Sequence, residues 1–163
     1  MRQLIKQREI VEDSWRYAEE DPLGRARALI LPLARWKEER QRWWLWDGKL
    51  GIRIGPTDAV GDLREDFLRI GLIAIEFGGL AEGRGYSQAQ LFRSRYRFTG
   101  ELRAVGNVQR DQLFYMARCG FDAFELPPGA DLDVALTAFD DFSVAYQGAP
   151  DANLRVERRI AVG

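Results

Sequence analysis

The sequence predicts an α/β fold made of repeated strand–helix units. Short apolar runs alternate with longer amphipathic segments along the chain, which is typical of a mainly parallel sheet with helical crossovers. The run Leu72–Phe77 is apolar up to a single glutamate, as expected for a strand that is covered on both faces. Turn-forming sites such as Asp47-Gly48 and Pro127-Pro128-Gly129 separate the units.

The patterns define about five strand–helix units in a single domain covering residues 1–163. Strands are expected at Ala28–Leu33, Leu50–Ile54, Leu72–Phe77, Glu101–Val105 and Ala123–Leu126, with a short edge strand or hairpin at 3–12. Helices are expected at Ala34–Trp46, Asp58–Ile70, Ser87–Tyr96 and Val108–Arg118, and from Asp131 onward.

We expect these units to form an open three-layer sheet, with a partial TIM-like barrel of sequential strands as the alternative. Parallel strands require right-handed crossovers, and 163 residues are too few for a barrel of eight units. In both architectures a ligand site belongs at the carboxyl ends of the strands.

Composition excludes several classes of function. The chain has no histidine and one cysteine, Cys119, so Ser-His and Cys-His catalysis, an intrachain disulfide and a cysteine-ligated cluster are excluded, and no metal site is expected. The net charge of −1 gives no reason to expect nucleic acid. No motif for a flavin, nicotinamide or iron–sulfur cofactor is present, so the cofactor is unknown.

Cysteine usage and hydropathy favour a cytoplasmic location. The amino-terminal segment carries charges where a signal peptide needs an apolar run, and no apolar stretch is long enough to cross a membrane. Association into a homo-oligomer is left open.

A glycine-rich segment after Leu72–Phe77 is the first candidate site. We expect a turn there, followed by a helix that begins near Ser87, whose free backbone N–H groups could hold an oxyanion. A structural loop is the alternative, since the pattern matches neither GxGxxG nor a Walker loop. The candidate anion-binding residues are Gly83, Arg84, Gly85, Tyr86, Ser87 and, at the next strand end, Asn107.

Three charged residues are candidates for catalysis. Glu76 ends an apolar strand, and Arg103 in the neighbouring strand is its expected partner. Together with Arg84 they could act as general acid or base and as anion contacts, and a structural ion pair is the alternative.

Four tryptophans crowd the segment 34–46. Trp36, Trp43 and Trp44 have the spacing of one helix face, which favours core packing, whereas Trp46 points elsewhere and is expected to be the more exposed one. An exposed tryptophan would make a partner surface. Cys119 ends a helix, where a thiol pKa is raised, so we expect no redox role for it.

The sequence resembles a bacterial family known as domain of unknown function 934. The resemblance covers nearly the whole chain. It is carried by LIKQREIVEDSW (Leu4–Trp15), LPLARW (Leu31–Trp36), GRGYS (Gly83–Ser87), GELRAVG (Gly100–Gly106), RDQLFYMARCGFDAFEL (Arg110–Leu126) and FSVAYQGA (Phe142–Ala149).

Members of that family are described as oxidoreductases involved in sulfite reduction, which implies a gene neighbourhood with assimilatory sulfite reductase. The resemblance therefore implies an accessory protein or an oxidoreductase of sulfur assimilation that acts with a sulfite reductase. A self-standing enzyme on a small anionic substrate and a noncatalytic protein-binding module are the alternatives. The residues do not decide whether the chain is an enzyme.

Overall fold

The computed structural model describes residues 2–78 and 82–145, and these ranges contain eight strands and five α-helices. The strands are β1 (Gln3–Lys6), β2 (Glu9–Glu12), β3 (Arg16–Tyr17), β4 (Ala28–Pro32), β5 (Lys49–Ile54), β6 (Ile70–Phe77), β7 (Glu101–Gly106) and β8 (Ala123–Phe124). The helices are α1 (Leu33–Glu38), α2 (Arg40–Leu45), α3 (Glu82–Gln90), α4 (Leu113–Cys119) and α5 (Leu132–Ala145).

All eight strands form one mostly parallel sheet in the order β2-β1-β8-β7-β6-β5-β4-β3. The strands from β3 to β8 follow one another in sequence, and each pairs in parallel with the next. The hairpin β1–β2 is added antiparallel to β8. The α/β class and the mainly parallel sheet predicted from the sequence are confirmed.

The sheet is strongly curled, and chain connectivity requires this. The strands β2 and β3 lie at opposite edges of the sheet, which would be about 34 Å apart if eight strands lay flat. Only three residues, 13–15, connect them, and the four residue steps from Glu12 to Arg16 reach at most about 14 Å. The sheet therefore bends back on itself into a half-barrel.

The two faces of the half-barrel differ in what covers them. On the outer face, apolar residues of the sheet pack with buried residues from all five helices in one large core. A smaller cluster lies on the inner face, formed by Tyr17, Ile30, Leu72, Ala74 and Val105, with Trp15 packed against it. The alternation along β6 places its residues on the two faces in turn.

The first expectation, an open three-layer sheet with about five strands, was wrong, and the alternative of a partial barrel of sequential strands agrees with the half-barrel. Because each strand is added on the same side of the previous one, right-handed crossovers place every described helix on the outer face. Five strands, β4 to β8, lie at the five expected segments, and the edge hairpin expected at 3–12 supplies two more. Arg16–Tyr17 adds a two-residue edge strand that no sequence pattern revealed.

The predictions for two helices before β6 were partly wrong. The segment 34–46 forms two short helices with a break at Glu39, whose carboxylate accepts the indole N–H of Trp43 at 2.7 Å. The segment 58–70 forms only a 3-10 turn at Gly61–Asp66, and its last residue, Ile70, pairs with Leu50 in the sheet. Tertiary contacts outweigh the weak helical pattern there.

Helices after β6 are shifted relative to the prediction. The helix expected at Ser87–Tyr96 begins earlier, at Glu82, and continues after Gln90 as a π-helical turn. The helix expected from Val108 starts as a 3-10 turn that Gln109 caps in place of Asn107, and Gly120 ends it as predicted. Asp131 caps α5 by accepting the backbone N–H of Val134 at 3.1 Å, also as predicted.

No helix in the described part of the chain is both long enough and apolar enough to cross a bilayer.

Two glycine substitutions test this backbone. Gly106 ends β7 at φ +88°, and an added Cβ would lie 2.4 Å from the carbonyl oxygen of Phe77. We expect Gly106→Ala to lower the free energy of unfolding by about 2 kcal/mol or more, measured by urea denaturation.

The matched control for this substitution is Gly83→Ala, because Gly83 lies in α3 and its added Cβ meets no atom within 4 Å. We expect this variant to be unchanged or stabilised by up to about 1 kcal/mol. Equal destabilisation of the two variants would contradict the described positions of these glycines.

Candidate functional site

The inner face of the half-barrel contains a buried ion network centred on Arg103. Arg103 lies on β7 with its side chain 2% exposed. Its Nε donates to Glu101 at 2.8 Å, and its two terminal nitrogens donate to the two carboxylate oxygens of Asp13 at 2.9 and 3.1 Å. This is a bidentate pair, the strongest geometry available to an arginine.

Asp13 belongs to the short segment that joins the two edges of the sheet. Its side chain is fully buried, and besides Arg103 it accepts the Nε of Arg2 at 3.0 Å and the backbone N–H of Trp15 at 3.0 Å. The two oxygens of the carboxylate thus accept four hydrogen bonds, which fills their acceptor positions. The carboxylate fixes the connecting segment against β7, in the interior of the half-barrel.

A second contact crosses the interior between β3 and the end of β8. The hydroxyl of Tyr17 donates to Glu125 Oε2 at 2.7 Å, although five strand spacings separate β3 from β8 along the sheet. Burial, followed by the adjacent Glu125 carboxylate, raises the pKa of the Tyr17 hydroxyl well above its usual range. Tyr17 therefore stays a neutral hydrogen-bond donor at physiological pH.

Glu125 retains capacity for a further partner. Its Oε1 is buried and accepts no hydrogen bond from the described residues, although Arg2 Nε lies 3.3 Å away as an ion-pair neighbour. The charge of Glu125 is compensated, but no N–H is aligned on that oxygen.

Glu76 does not pair with Arg103, which corrects the sequence-based expectation. Its partner is Arg53 of β5 at 2.9 Å, and Arg53 also donates to Glu19 at 2.7 Å. Glu76 is 48% exposed at the carboxyl end of β6, so it is a solvated ion pair at the mouth of the half-barrel. Arg103 was expected to have one carboxylate partner and has two at hydrogen-bond distance.

The glycine-rich segment lies inside a helix where the sequence predicted a turn. Gly83, Arg84, Gly85, Tyr86 and Ser87 all belong to α3, so the backbone N–H groups near Ser87 are not the free amides of a helix start. The Ser87 hydroxyl donates to the carbonyl of Gly83 at 3.3 Å instead of capping.

The members of this predicted anion site have different surroundings. Arg84 and Ser87 are exposed on the outer side. Gly85 is buried and packs so closely on Phe77 that an added Cβ would lie 2.8 Å from the ring. The Tyr86 ring packs against Phe77 at a centroid distance of 5.1 Å. Asn107 is exposed after β7 and its side-chain oxygen accepts from Gln109 at 3.3 Å.

The three residues proposed for catalysis are therefore not brought together as one constellation. Glu76 and Arg103 share the inner face, each with its own partners, and Arg84 is exposed on α3 against the opposite face. Their catalytic roles stay predictions.

The tryptophan prediction is correct for two positions and reversed for two. Trp36 and Trp43 are 1% and 5% exposed and belong to the outer core, as predicted. Trp44 is 39% exposed and Trp46 is half-buried, the opposite of the expectation. The break at Glu39 rotates α2 relative to α1, which alters the face that a continuous helix would have presented.

Trp44 is part of an exposed apolar surface that we call the tryptophan surface, defined as Trp44 and Leu45. Trp44 is 39% exposed and Leu45 is 83% exposed, and both line one shallow hollow. The guanidinium of Arg69 donates to the carbonyl of Trp44 at 3.1 Å, which holds the segment before β6 against the end of α2.

Cys119 is 1% exposed at the end of α4, where Gln90 donates to its sulfur at 3.7 Å. A buried thiol with this surrounding is a packing residue.

Sequence reasoning missed Asp13, Tyr17 and Arg2 as members of the network. The one available signal was that Asp13 stands between a hairpin and two aromatic residues, in a segment too short to be a solvated loop. Their partners Arg103 and Glu125 lie about ninety or more positions further along the chain, so no local pattern connects them.

The chain belongs to a bacterial family of unknown function. The profile of the family described as "Bacterial protein of unknown function (DUF934)" matches residues 51–156, which is well over half of the sequence. The matched region starts within β5 and includes β6 to β8 and the helices between them, and therefore Arg103, Glu76 and the segment Gly83–Ser87. No curated protein matches the sequence.

Removing one partner of the buried pair should be costly. We expect Asp13→Asn to lower the free energy of unfolding by about 3 kcal/mol or more, because it leaves the buried guanidinium of Arg103 short of a compensating charge. Urea denaturation followed by circular dichroism measures the change.

The matched control is Asp47→Asn, which removes an exposed ion pair with Arg27 (2.7 Å, side chains 78% and 67% exposed). We expect this control to change stability by less than about 0.5 kcal/mol. If Asp13→Asn costs no more than the control, the network does not hold the fold together.

Proposed function

We propose that this protein is a cytoplasmic accessory protein of assimilatory sulfite reduction, which docks onto a sulfite reductase through the tryptophan surface. The observation that carries the proposal is the exposure of Trp44 next to Leu45, which is 83% exposed and lines the same shallow hollow. Large aromatic side chains are enriched at the centres of protein interfaces, where they supply much of the binding energy. The sulfite reductase partner is inferred from the family resemblance.

The tryptophan surface is held rigidly, which favours a docking role. Trp43 is anchored in the outer core, and its indole N–H is bound by Glu39 at 2.7 Å. At the carboxyl end of α2, Arg69 donates to the carbonyl groups of Trp44 and Trp46. A surface fixed in this way loses little conformational entropy when a partner binds.

Cationic groups border the tryptophan surface and suit an acidic rim on the partner. The guanidinium of Arg40 lies 5.4 Å from the ring centre of Trp44, and Arg40 and Arg42 line the same shallow hollow as Trp44 and Leu45. Asp66 holds Arg40 in place. Carboxylates on a partner could therefore pair with Arg42 while its apolar side chains cover Leu45.

A self-standing enzyme on a small anion is the less favoured alternative. Its three proposed groups are spread over both faces of the sheet, and each of Glu76 and Arg103 already has carboxylate or guanidinium partners. Arg53, the arginine nearest to Glu76, is already shared between Glu76 and Glu19. Its charge is therefore compensated and does not favour an anionic substrate at the mouth of the half-barrel.

Truncation of the tryptophan surface tests the docking role. We expect Trp44→Ala and Leu45→Ala each to weaken binding to purified sulfite reductase, by about thirtyfold for Trp44 if it is a central anchor worth about 2 kcal/mol. Surface plasmon resonance with the immobilised reductase measures the affinity.

Leu23→Ala is the matched control, because Leu23 is also highly exposed but lies in the connection between β3 and β4. It should bind as the unmodified protein does.

A strain lacking the gene should grow slowly on sulfate as sole sulfur source and normally on cysteine. Undiminished growth on sulfate would refute the role in sulfite reduction, and unaltered binding of Trp44→Ala would refute this docking surface.

A further inference from the structure

We propose that a basic pocket at the amino-terminal rim of the half-barrel binds a small, doubly charged inorganic oxyanion of the sulfate, sulfite or phosphate type. The pocket has a volume of about 450 Å³. Its polar and charged lining residues are Lys6, Ser14, Trp15, Lys49, Arg69 and Glu101. The inference does not rest on the docking role, and the site lies at the end of the sheet opposite to the strand ends where the sequence predicted a ligand.

The lining charges of this basic pocket favour an anion. Three cationic side chains face one carboxylate, Glu101, and that carboxylate is already shared between Lys6 at 2.9 Å and Arg103 at 2.8 Å. Lys49 has no carboxylate within ion-pairing distance in the part of the chain that the structure describes. The pocket therefore carries an excess of positive charge, which an anion would neutralise.

Arg69 adds a second cation without a carboxylate of its own. Its guanidinium donates to two backbone carbonyl groups, those of Trp44 and Trp46, which are neutral acceptors. Partial burial lowers the pKa of Arg69, and only the more distant Asp47 opposes that effect. An anion in the pocket would offset the cost of desolvating this guanidinium.

A neutral donor completes the lining. The hydroxyl of Ser14 makes no hydrogen bond with any other described residue. Gly71 leaves open space in the lining, because an added Cβ there would meet only the carbonyl of Leu50 at 3.9 Å and the benzene edge of the Trp15 ring at 4.0 Å. Hydroxyl and ammonium donors around a small open volume suit the several oxygens of one compact anion.

The use of lysine in this chain points to the same pocket. Of the 24 basic residues only Lys6, Lys37 and Lys49 are lysines, which leaves 21 arginines. Two of the three lysines line this single pocket. A compact ammonium group binds a small anion as a point charge from several directions, whereas a guanidinium requires planar, bidentate geometry.

Isothermal titration calorimetry of the full chain with sodium sulfate, sodium sulfite and sodium phosphate tests the proposal. We expect saturable binding of at least one of these anions, weakened about tenfold in Lys49→Gln, which removes one charge-assisted contact. Lys49 is exposed and unpaired, so its replacement should leave the thermal unfolding midpoint unchanged.

Lys37→Gln is the matched control, since Lys37 is an exposed lysine on α1 outside the pocket, and it should bind as the unmodified chain does. The proposal is overturned if none of the three anions binds saturably, or if Lys49→Gln and Lys37→Gln bind equally well. Neither result depends on whether sulfite reductase binds the tryptophan surface.

Discussion

The bidentate pair of Asp13 and Arg103 is the interaction on which the rest of the structure depends. It joins the segment between the two edges of the sheet to β7, near the middle of the sheet, and so stabilises the curl that this short connection imposes. Desolvating two charges is costly, and the geometry offsets that cost because Asp13 also accepts hydrogen bonds from Arg2 and Trp15. The interior of the half-barrel thus holds a buried ion network beside a small apolar cluster, whereas the helices pack on the outer face in one large apolar core.

The two proposed interaction sites lie on different parts of the half-barrel. The tryptophan surface lies on α2, which the outer core anchors through Trp43. The basic pocket lies at the amino-terminal rim, where Glu101 links Lys6 to Arg103 and thereby connects the pocket to the buried network. Arg69 contributes to both, since it lines the pocket and binds carbonyl groups of α2.

Much of the sheet could be predicted from the sequence, because buried parallel strands consist of short runs of apolar residues. β4 to β7 lie where Ala28–Leu33, Leu50–Ile54, Leu72–Phe77 and Glu101–Val105 were expected. The helix starts were less predictable. The segment GRGYS contains two glycines and a serine, which suit a turn, but the packing of Gly85 against Phe77 fixes this segment inside α3. Arg103 was recognised as a buried charge, but its partner Asp13 lies ninety residues earlier in the chain, and only the folded sheet brings them together.

A double-mutant cycle on Asp13 and Arg103 tests the central claim most directly. The free energies of unfolding of the unmodified chain, Asp13→Asn, Arg103→Met and the double variant give the coupling between the two side chains. If the pair holds the curled sheet together, the coupling should be about 2 kcal/mol or more, so that the double variant is far less destabilised than the sum of the single variants. Additive effects of the two substitutions would contradict the account.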